Sequence, residues 1–225
     1  MATYLICHGA WSGGWSWTKV RPRLAAAGHT VFTPTYTGLG DRAHLVHPLI
    51  DLDTHIQDVL AVIEAEDLSD FVLVGHSYGG MVVTGVADRV PDRVRHLVYL
   101  DAFVPADGQS LNDLTGREPA SVEGWLIPPN PPAPDTAPDD LAWNLPRRRH
   151  QPARCFSQKI RLVHPAPSFP RSYIHCTKKT GHDVFQQFAD RFRDDADWGC
   201  HTLDTSHSPN VTAPDALVAL LLAIA

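Results

Sequence analysis

Residues 71–89 leave the chain little choice of fold. Phe71-Val-Leu-Val74 is a short apolar run. Gly75-His76-Ser77-Tyr78-Gly79-Gly80 follows it at once, and 78–89 carries a helical pattern that stops before Pro91. An apolar strand joined to a helix by so short a turn requires a sharp, strained reversal of the backbone. Side chains at positions 75 and 79 would clash in such a turn, and both positions are glycine. Ser77 is then raised above the edge of a sheet, at a helix N-terminus, where developing negative charge is favoured.

The rest of the chain keeps the same rhythm. Residues 4–7 read as a strand, 15–27 as a helix stopped by Gly28, and 31–33 as a second strand. Ile56, Val59, Leu60 and Ile63 have helical spacing and predict a helix over 53–66. Further strands are predicted at 96–100, 172–176 and 199–203, with a helix at 184–192 and a last one opened by Pro214. The pattern predicts an α/β chain: a mostly parallel sheet of about six strands with helices on both faces. Sheets of this kind bind ligands at the carboxyl ends of their strands. Residues 105–170 break the rhythm with a high density of proline, above all at 128–134. They are expected to form a small cap or lid, inserted within a single domain spanning 1–225.

Composition excludes several functions. The formal net charge is -6, and Arg147-Arg148-Arg149 is the only dense basic run, which argues against a nucleic-acid partner. The N-terminus has no basic region and no long apolar run, so no signal peptide is expected. The apolar stretch 216–225 is too short to span a bilayer and reads as the last buried helix. The expectation is a cytoplasmic monomer or homodimer with no membrane partner. Its cysteines, Cys7, Cys155, Cys176 and Cys200, lack CxxC spacing and are expected to be reduced. There is no HExxH and no paired ligand spacing, so neither a metal nor a cofactor is expected.

Placed between strand and helix, G-x-S-x-G points to Ser77 as a nucleophile. A serine hydroxyl needs a base to take its proton. Among 13 histidines, His207 has the right place: a loop after the last strand and before the final helix. The base needs a carboxylate to orient it, and two remain open. Asp101 ends an apolar strand at the correct edge and is preferred. Asp183, in the loop after the strand at 172–176, is the alternative. The oxyanion of a tetrahedral intermediate needs two backbone donors. Tyr78 N–H is expected to be one; Ala10 N–H, in the glycine-rich loop after the first strand, is the other, with Trp11 in reserve. Trp11, Phe103, Trp125 and Trp143 are expected to give the substrate site an apolar lining. Trp15 and Trp17 are read as packing residues.

HGAWSGGWSW at 8–17, LAAAGH at 24–29 and GHSYGG at 75–80 resemble the plant methylesterase and hydroxynitrile lyase family of the α/β-hydrolase fold, with its bacterial, pyrethroid-hydrolase-like esterase relatives. The resemblance covers most of the chain and is weakest in the proline-rich segment. It implies Ser77 as nucleophile, His207 as base, Ala10 and Tyr78 as oxyanion donors, and cofactor-free hydrolysis of small, fairly apolar carboxylic esters through an acyl-enzyme. The chain departs from the family in two ways. The position of the plant aspartate falls at about Lys179, which favours Asp101. The lyases carry threonine after the first-loop histidine and lysine after the catalytic histidine, where this chain has Gly9 and Ser208; lyase chemistry is therefore disfavoured. A slow-turnover ligand receptor, or an enzyme cleaving an amide or a C–C bond, is the alternative on the same scaffold.

Overall fold

Alternation within each strand decides how this chain is layered. In the strand Thr3–Cys7 (β1), Leu5 and Cys7 point to one face while Tyr4 and Ile6 point to the other, and all four are buried. A strand buried on both sides must lie inside a covered sheet. The computed structural model describes residues 1–132, 136–164, 168–179 and 181–224. Its sheet contains β1, Thr30–Phe32 (β2), Phe71–His76 (β3), Val94–Leu100 (β4), Arg171–Cys176 (β7) and Trp198–Leu203 (β8), in the order β2-β1-β3-β4-β7-β8. All five pairings are parallel. A two-residue antiparallel ladder joins Leu126–Ile127 (β5) to Gln151–Pro152 (β6).

Helices cover both faces. Arg21–Ala26 (α1) and Pro214–Ile224 (α9) pack on one, where Leu24, Leu217 and Leu221 meet Tyr4, Val72, Val98 and Ile174. Leu52–Ala65 (α2), Gly79–Arg89 (α3) and Gln186–Phe192 (α7) cover the other, burying Ile56, Val83 and Phe188 against Leu73 and Tyr173. Among the described residues between β4 and β7 lie the short α-helices Leu111–Thr115 (α4), Pro138–Asn144 (α5) and Arg154–Ser157 (α6), with a 3-10 turn at Leu145–Arg147. The proline-rich run at 128–134 falls partly, at 133 and 134, outside the described residues. Among the described residues no helix is long and apolar enough to cross a membrane. The apolar end of the chain is α9, whose Leu217, Val218 and Leu221 are buried against the sheet.

Most elements start and stop within one or two residues of the predicted limits. The segment 15–27 differs. It forms a 3-10 turn over Gly14–Trp17 and then the separate α1, because Pro22 cannot donate to a preceding turn and is tolerated only in the first turn of a helix. Trp17 is fully buried in the α1 and α9 face, as a packing residue.

Glycines let α3 sit on the strand ends. A Cβ on Gly79 would lie 2.5 Å from the Cys7 carbonyl oxygen, and one on Gly80 would lie 2.1 Å from the Phe103 carbonyl oxygen. Those obstacles are backbone and cannot rotate away. Gly80→Ala is therefore expected to force α3 off the end of β4. It should cost about 1–3 kcal/mol, seen as a fall of roughly 3–10 °C in Tm in thermal unfolding. An unchanged Tm would mean that the helix is not held this closely.

Candidate active site

Four strands, the neighbours β1, β3 and β4 together with β8 beyond β7, bring their carboxyl ends to one edge of the sheet. Ser77 follows β3, Asp101 follows β4, Ala10 and Trp11 belong to the loop after β1, and His207 lies in the loop between β8 and the short helix Pro209–Thr212 (α8). Three of these residues hold left-handed backbone that side chains rarely adopt: Trp11 at φ 60°, Ser77 at φ 56° and Asp101 at φ 43°. Such conformations cost about 1–3 kcal/mol each and cluster at functional sites. The surroundings hold them in place. Ser77 N–H donates to the Leu100 carbonyl, and the Ser77 carbonyl accepts from the N–H groups of Gly80 and Phe103. Asp101 N–H donates to the Ile174 carbonyl at 2.7 Å.

A continuous chain of hydrogen bonds runs away from Ser77. His207 Nε2 lies 3.0 Å from Ser77 Oγ, and His207 Nδ1 lies 2.6 Å from Asp101 Oδ2. With a carboxylate on Nδ1, that nitrogen carries the proton and Nε2 is the acceptor facing the serine hydroxyl. Of the two carboxylates that the sequence leaves open, Asp101 reaches His207. Asp183 instead bonds His175 Nε2 at 2.8 Å and Lys179 Nζ at 2.8 Å. Asp101 is fully buried, and burial alone would raise its carboxyl pKa. The hydrogen bond and charge of His207, with the Lys179 ammonium, outweigh burial and hold it below the ordinary carboxylate value.

The loop bearing His207 is tied down by His76, a residue that sequence reasoning did not single out. His76 Nε2 donates to the His207 carbonyl at 2.7 Å. Burial is the main reason that the His76 pKa is lowered to about 3, with the nearby His207 adding to it. Phe185 stacks on the ring of His207 at 4.8 Å between centroids. The signal for His76 was its place inside the serine motif, where the side chain must point beneath the turn.

Two backbone N–H groups flank Ser77 with no partner among the described residues, those of Ala10 and Tyr78. Trp11 N–H is taken: it donates to Gln151 Oε1 at 2.9 Å, and Gln151 comes from β6. That leaves Ala10, not Trp11, available to an anion. Below the loop, His8 Nδ1 donates to the Gly9 carbonyl at 2.8 Å and its Nε2 accepts from Tyr36 N–H. The Tyr78 hydroxyl donates to His55 Nδ1 at 2.9 Å, and His55 Nε2 donates to the Thr37 carbonyl. Both rings are buried and neutral, so the residues that carry the open N–H groups rest on fixed dipoles.

A cavity of about 360 Å³ opens onto Ser77 and His207. Trp11 and Phe103 line it, joined by Leu111, Phe156 and Phe185. Trp125 and Trp143 do not. Asn144 of α5 and Leu145 in the 3-10 turn that follows stand three and four residues after Leu141 and share the cavity side with it, which turns Trp143 away. Trp143 packs edge-on against Trp15 instead, with centroids 5.1 Å apart and Arg147 over its ring. Trp125 stands in the turn before β5, where its carbonyl accepts from Ala153 N–H. Phe156 and Leu111 escaped sequence reading because 105–170 has no periodicity to assign a face. Among the described residues no group of three or more His, Cys, Asp or Glu side chains is placed to hold a metal ion.

The pattern of the Alpha/beta hydrolase family matches residues 4–220. The chain belongs to that family. It is 60% identical over 128 residues to a carbendazim hydrolyzing esterase of Nocardioides sp. (strain SG-4G), a match covering 56% of this chain and 53% of the relative. It is 32% identical over 128 residues to salicylic acid-binding protein 2 of Nicotiana tabacum, covering 55% and 48%. The chain thus spans about half the length of the curated relatives it matches. An extracellular α/β-hydrolase from a Paenibacillus species superposes with a TM-score of 0.81 at 23% identity, over 99% of this chain and 98% of that one, and so shares the fold.

Three buried histidines make this scaffold sensitive to acid. Burial lowers the pKa of His8 to about 3, of His55 to about 4 and of His76 to about 3. In the unfolded chain each titrates near 6.5. Between these values the unfolded state binds more protons, so stability is fully present above about pH 6.5 and is lost as pH falls. Each group contributes a slope of up to about 1.4 kcal/mol per pH unit. Tm should therefore fall steeply from pH 6.5 to 4; a flat Tm across that range would contradict the neutral, buried assignment.

Proposed function

We propose that this chain is a serine carboxylesterase, hydrolysing small, fairly apolar carboxylic esters through an acyl-enzyme. The observation that carries this reading is His207 set between Ser77 Oγ at 3.0 Å and Asp101 Oδ2 at 2.6 Å. In this reading Ser77 Oγ attacks the ester carbonyl while its proton passes to His207 Nε2. Asp101 stabilises the imidazolium without taking its proton. The N–H groups of Ala10 and Tyr78 hold the oxyanion, helped by the N-terminus of α3. The tetrahedral intermediate collapses as His207 gives its proton to the alcohol oxygen, and the alcohol leaves. Water then repeats the sequence on the acyl-enzyme: His207 takes its proton, the carboxylic acid departs, and Ser77 regains its hydrogen.

The lining by Trp11, Phe103, Leu111, Phe156 and Phe185 supports neutral, apolar groups on the ester. Residues 105–170 are proposed to act as the cap, since Leu111, Leu145 and Phe156 all reach the cavity from it. Carbendazim, after which the 60% identical relative is named, is a fitting compound to assay beside simple esters.

Two experiments check the reading. Purified protein should turn over neutral short-chain p-nitrophenyl esters faster than charged ones, and a serine-directed phosphonate should label Ser77; Ser77→Ala should lose both properties. Absence of turnover and label in the native protein would refute the proposal. Asp101→Asn should lower kcat by about 10⁴, the scale known for triad aspartates elsewhere. Asp183→Asn should cost far less, and comparable losses in the two variants would show that Asp101 is not the carboxylate that orients His207.

A further inference from the structure

Behind Asp101 stands a residue that has no part in the mechanism above. Lys179 lies in the loop after β7, and only 13% of its side chain is exposed. Its ammonium has three protons and three acceptors. Asp101 Oδ1 lies at 2.7 Å, Asp183 Oδ1 at 2.8 Å, and the Phe185 ring centroid at 4.8 Å. A buried ammonium persists only when paired in this way. Asp101 divides its oxygens accordingly. Among the described residues Oδ2 bonds only His207, while Oδ1 accepts from Lys179 and, at 3.2 Å, from Cys176 N–H.

The charge count shows what this arrangement does. An aspartate behind a catalytic base works by offering one negative charge to the imidazolium. Here Lys179 cancels the charge of Asp101, and that pair alone would leave the imidazolium without a counter-charge. Asp183 returns the missing charge, so Asp101, Lys179 and Asp183 together carry one negative charge. Formation of the imidazolium brings the cluster to neutrality. We propose that Lys179 and Asp183 are positioning residues that set the charge seen by His207: Lys179 orients Asp101, and Asp183 supplies the negative charge that Lys179 removes. This rests on the esterase reading for its kinetic consequence, though not for its electrostatics.

Few other groups compete for these partners. His207 is faced by Asp101, by Ser77, by the neutral His76 on β3 and by the Phe185 ring. Asp101 is faced by His207, Lys179 and the β7 backbone. The Tyr173 hydroxyl on β7 is turned to the Ala102 and Phe185 carbonyls, and Asp183 is faced by Lys179 and by His175 on β7.

The test is the acid limb of kcat/KM against pH, with active sites counted by the serine-directed phosphonate. Lys179→Met leaves two carboxylates behind His207, favours the imidazolium, and should move the limb up by about half a pH unit or more. Asp183→Asn leaves a neutral Asp101–Lys179 pair and should move it down by about as much. The double variant restores one negative charge and should return the limb close to that of the native protein, while Lys179→Arg should leave it in place. A role in folding alone would lower the number of active sites without moving the limb in opposite directions. If Lys179→Met does not fold, the direction of the Asp183→Asn shift still decides. Shifts of one sign, no shift in either single variant, or a double variant that does not return would overturn the proposal. Titration of the His207 ring by NMR in histidine-labelled protein reads the same opposite shifts without any substrate. A native protein that hydrolyses no ester would therefore sink the functional reading and leave this one to the NMR result.

Discussion

The close approach of α3 to the strand ends is the constraint on which the site depends. Gly79 lies against the carbonyls that end β1, and Gly80 lies against the carbonyl of Phe103, just beyond β4. With both approaches made, the turn between β3 and α3 has room only for a residue in left-handed conformation, and that residue is Ser77. The same packing brings the loop after β1 against Ser77, where a Cβ on Gly9 would lie 3.1 Å from the Ser77 Cβ. Geometry that costs free energy locally is held by backbone packing on three strands, so it does not relax.

Charge at this edge is handled by pairing inside the protein. Asp101 is fully buried and would be costly there alone. His207, Lys179 and Cys176 N–H satisfy it from two neighbouring segments. The neighbouring histidines take the other route and stay neutral, held by carbonyls and hydroxyls. The result is a site in which His207 is the one imidazole offered to the serine hydroxyl, and in which the surrounding dipoles are already oriented.

Much of this was legible from residue order. Apolar runs of four or five residues marked the strands, and glycine and proline marked the ends of helices. The turn around Ser77 was readable because its three glycines and flanking elements are contiguous. His207 was readable from its place after the last strand. The pocket was less so. The chemistry of Trp143 and Trp125 suits a pocket, whereas the phase of α5 sends Leu141 and Asn144 inward and Trp143 towards Trp15. Phe156 and Phe185 carried no local mark that set them apart from other buried aromatics. The segment 15–27 is not one helix because Pro22 restricts helix to its own first turn, an effect that hydrophobic spacing does not register.

By itself, the sequence determined the layered α/β class, the sharp turn at Ser77 and the place of His207 after the last strand, because each follows from short-range pattern: hydrophobic period, glycine placement and order along the chain. It left open whether Asp101 or Asp183 meets His207, since both end up near β7. Only the tertiary structure shows that the contact is made by Asp101. Parallel pairing of β4 with β7 and of β7 with β8 sets Asp101 beneath His207, while Lys179 and His175 take Asp183. The contact between His207 and Asp101 spans 106 residues. No local pattern encodes a distance of that kind; the register of the sheet does.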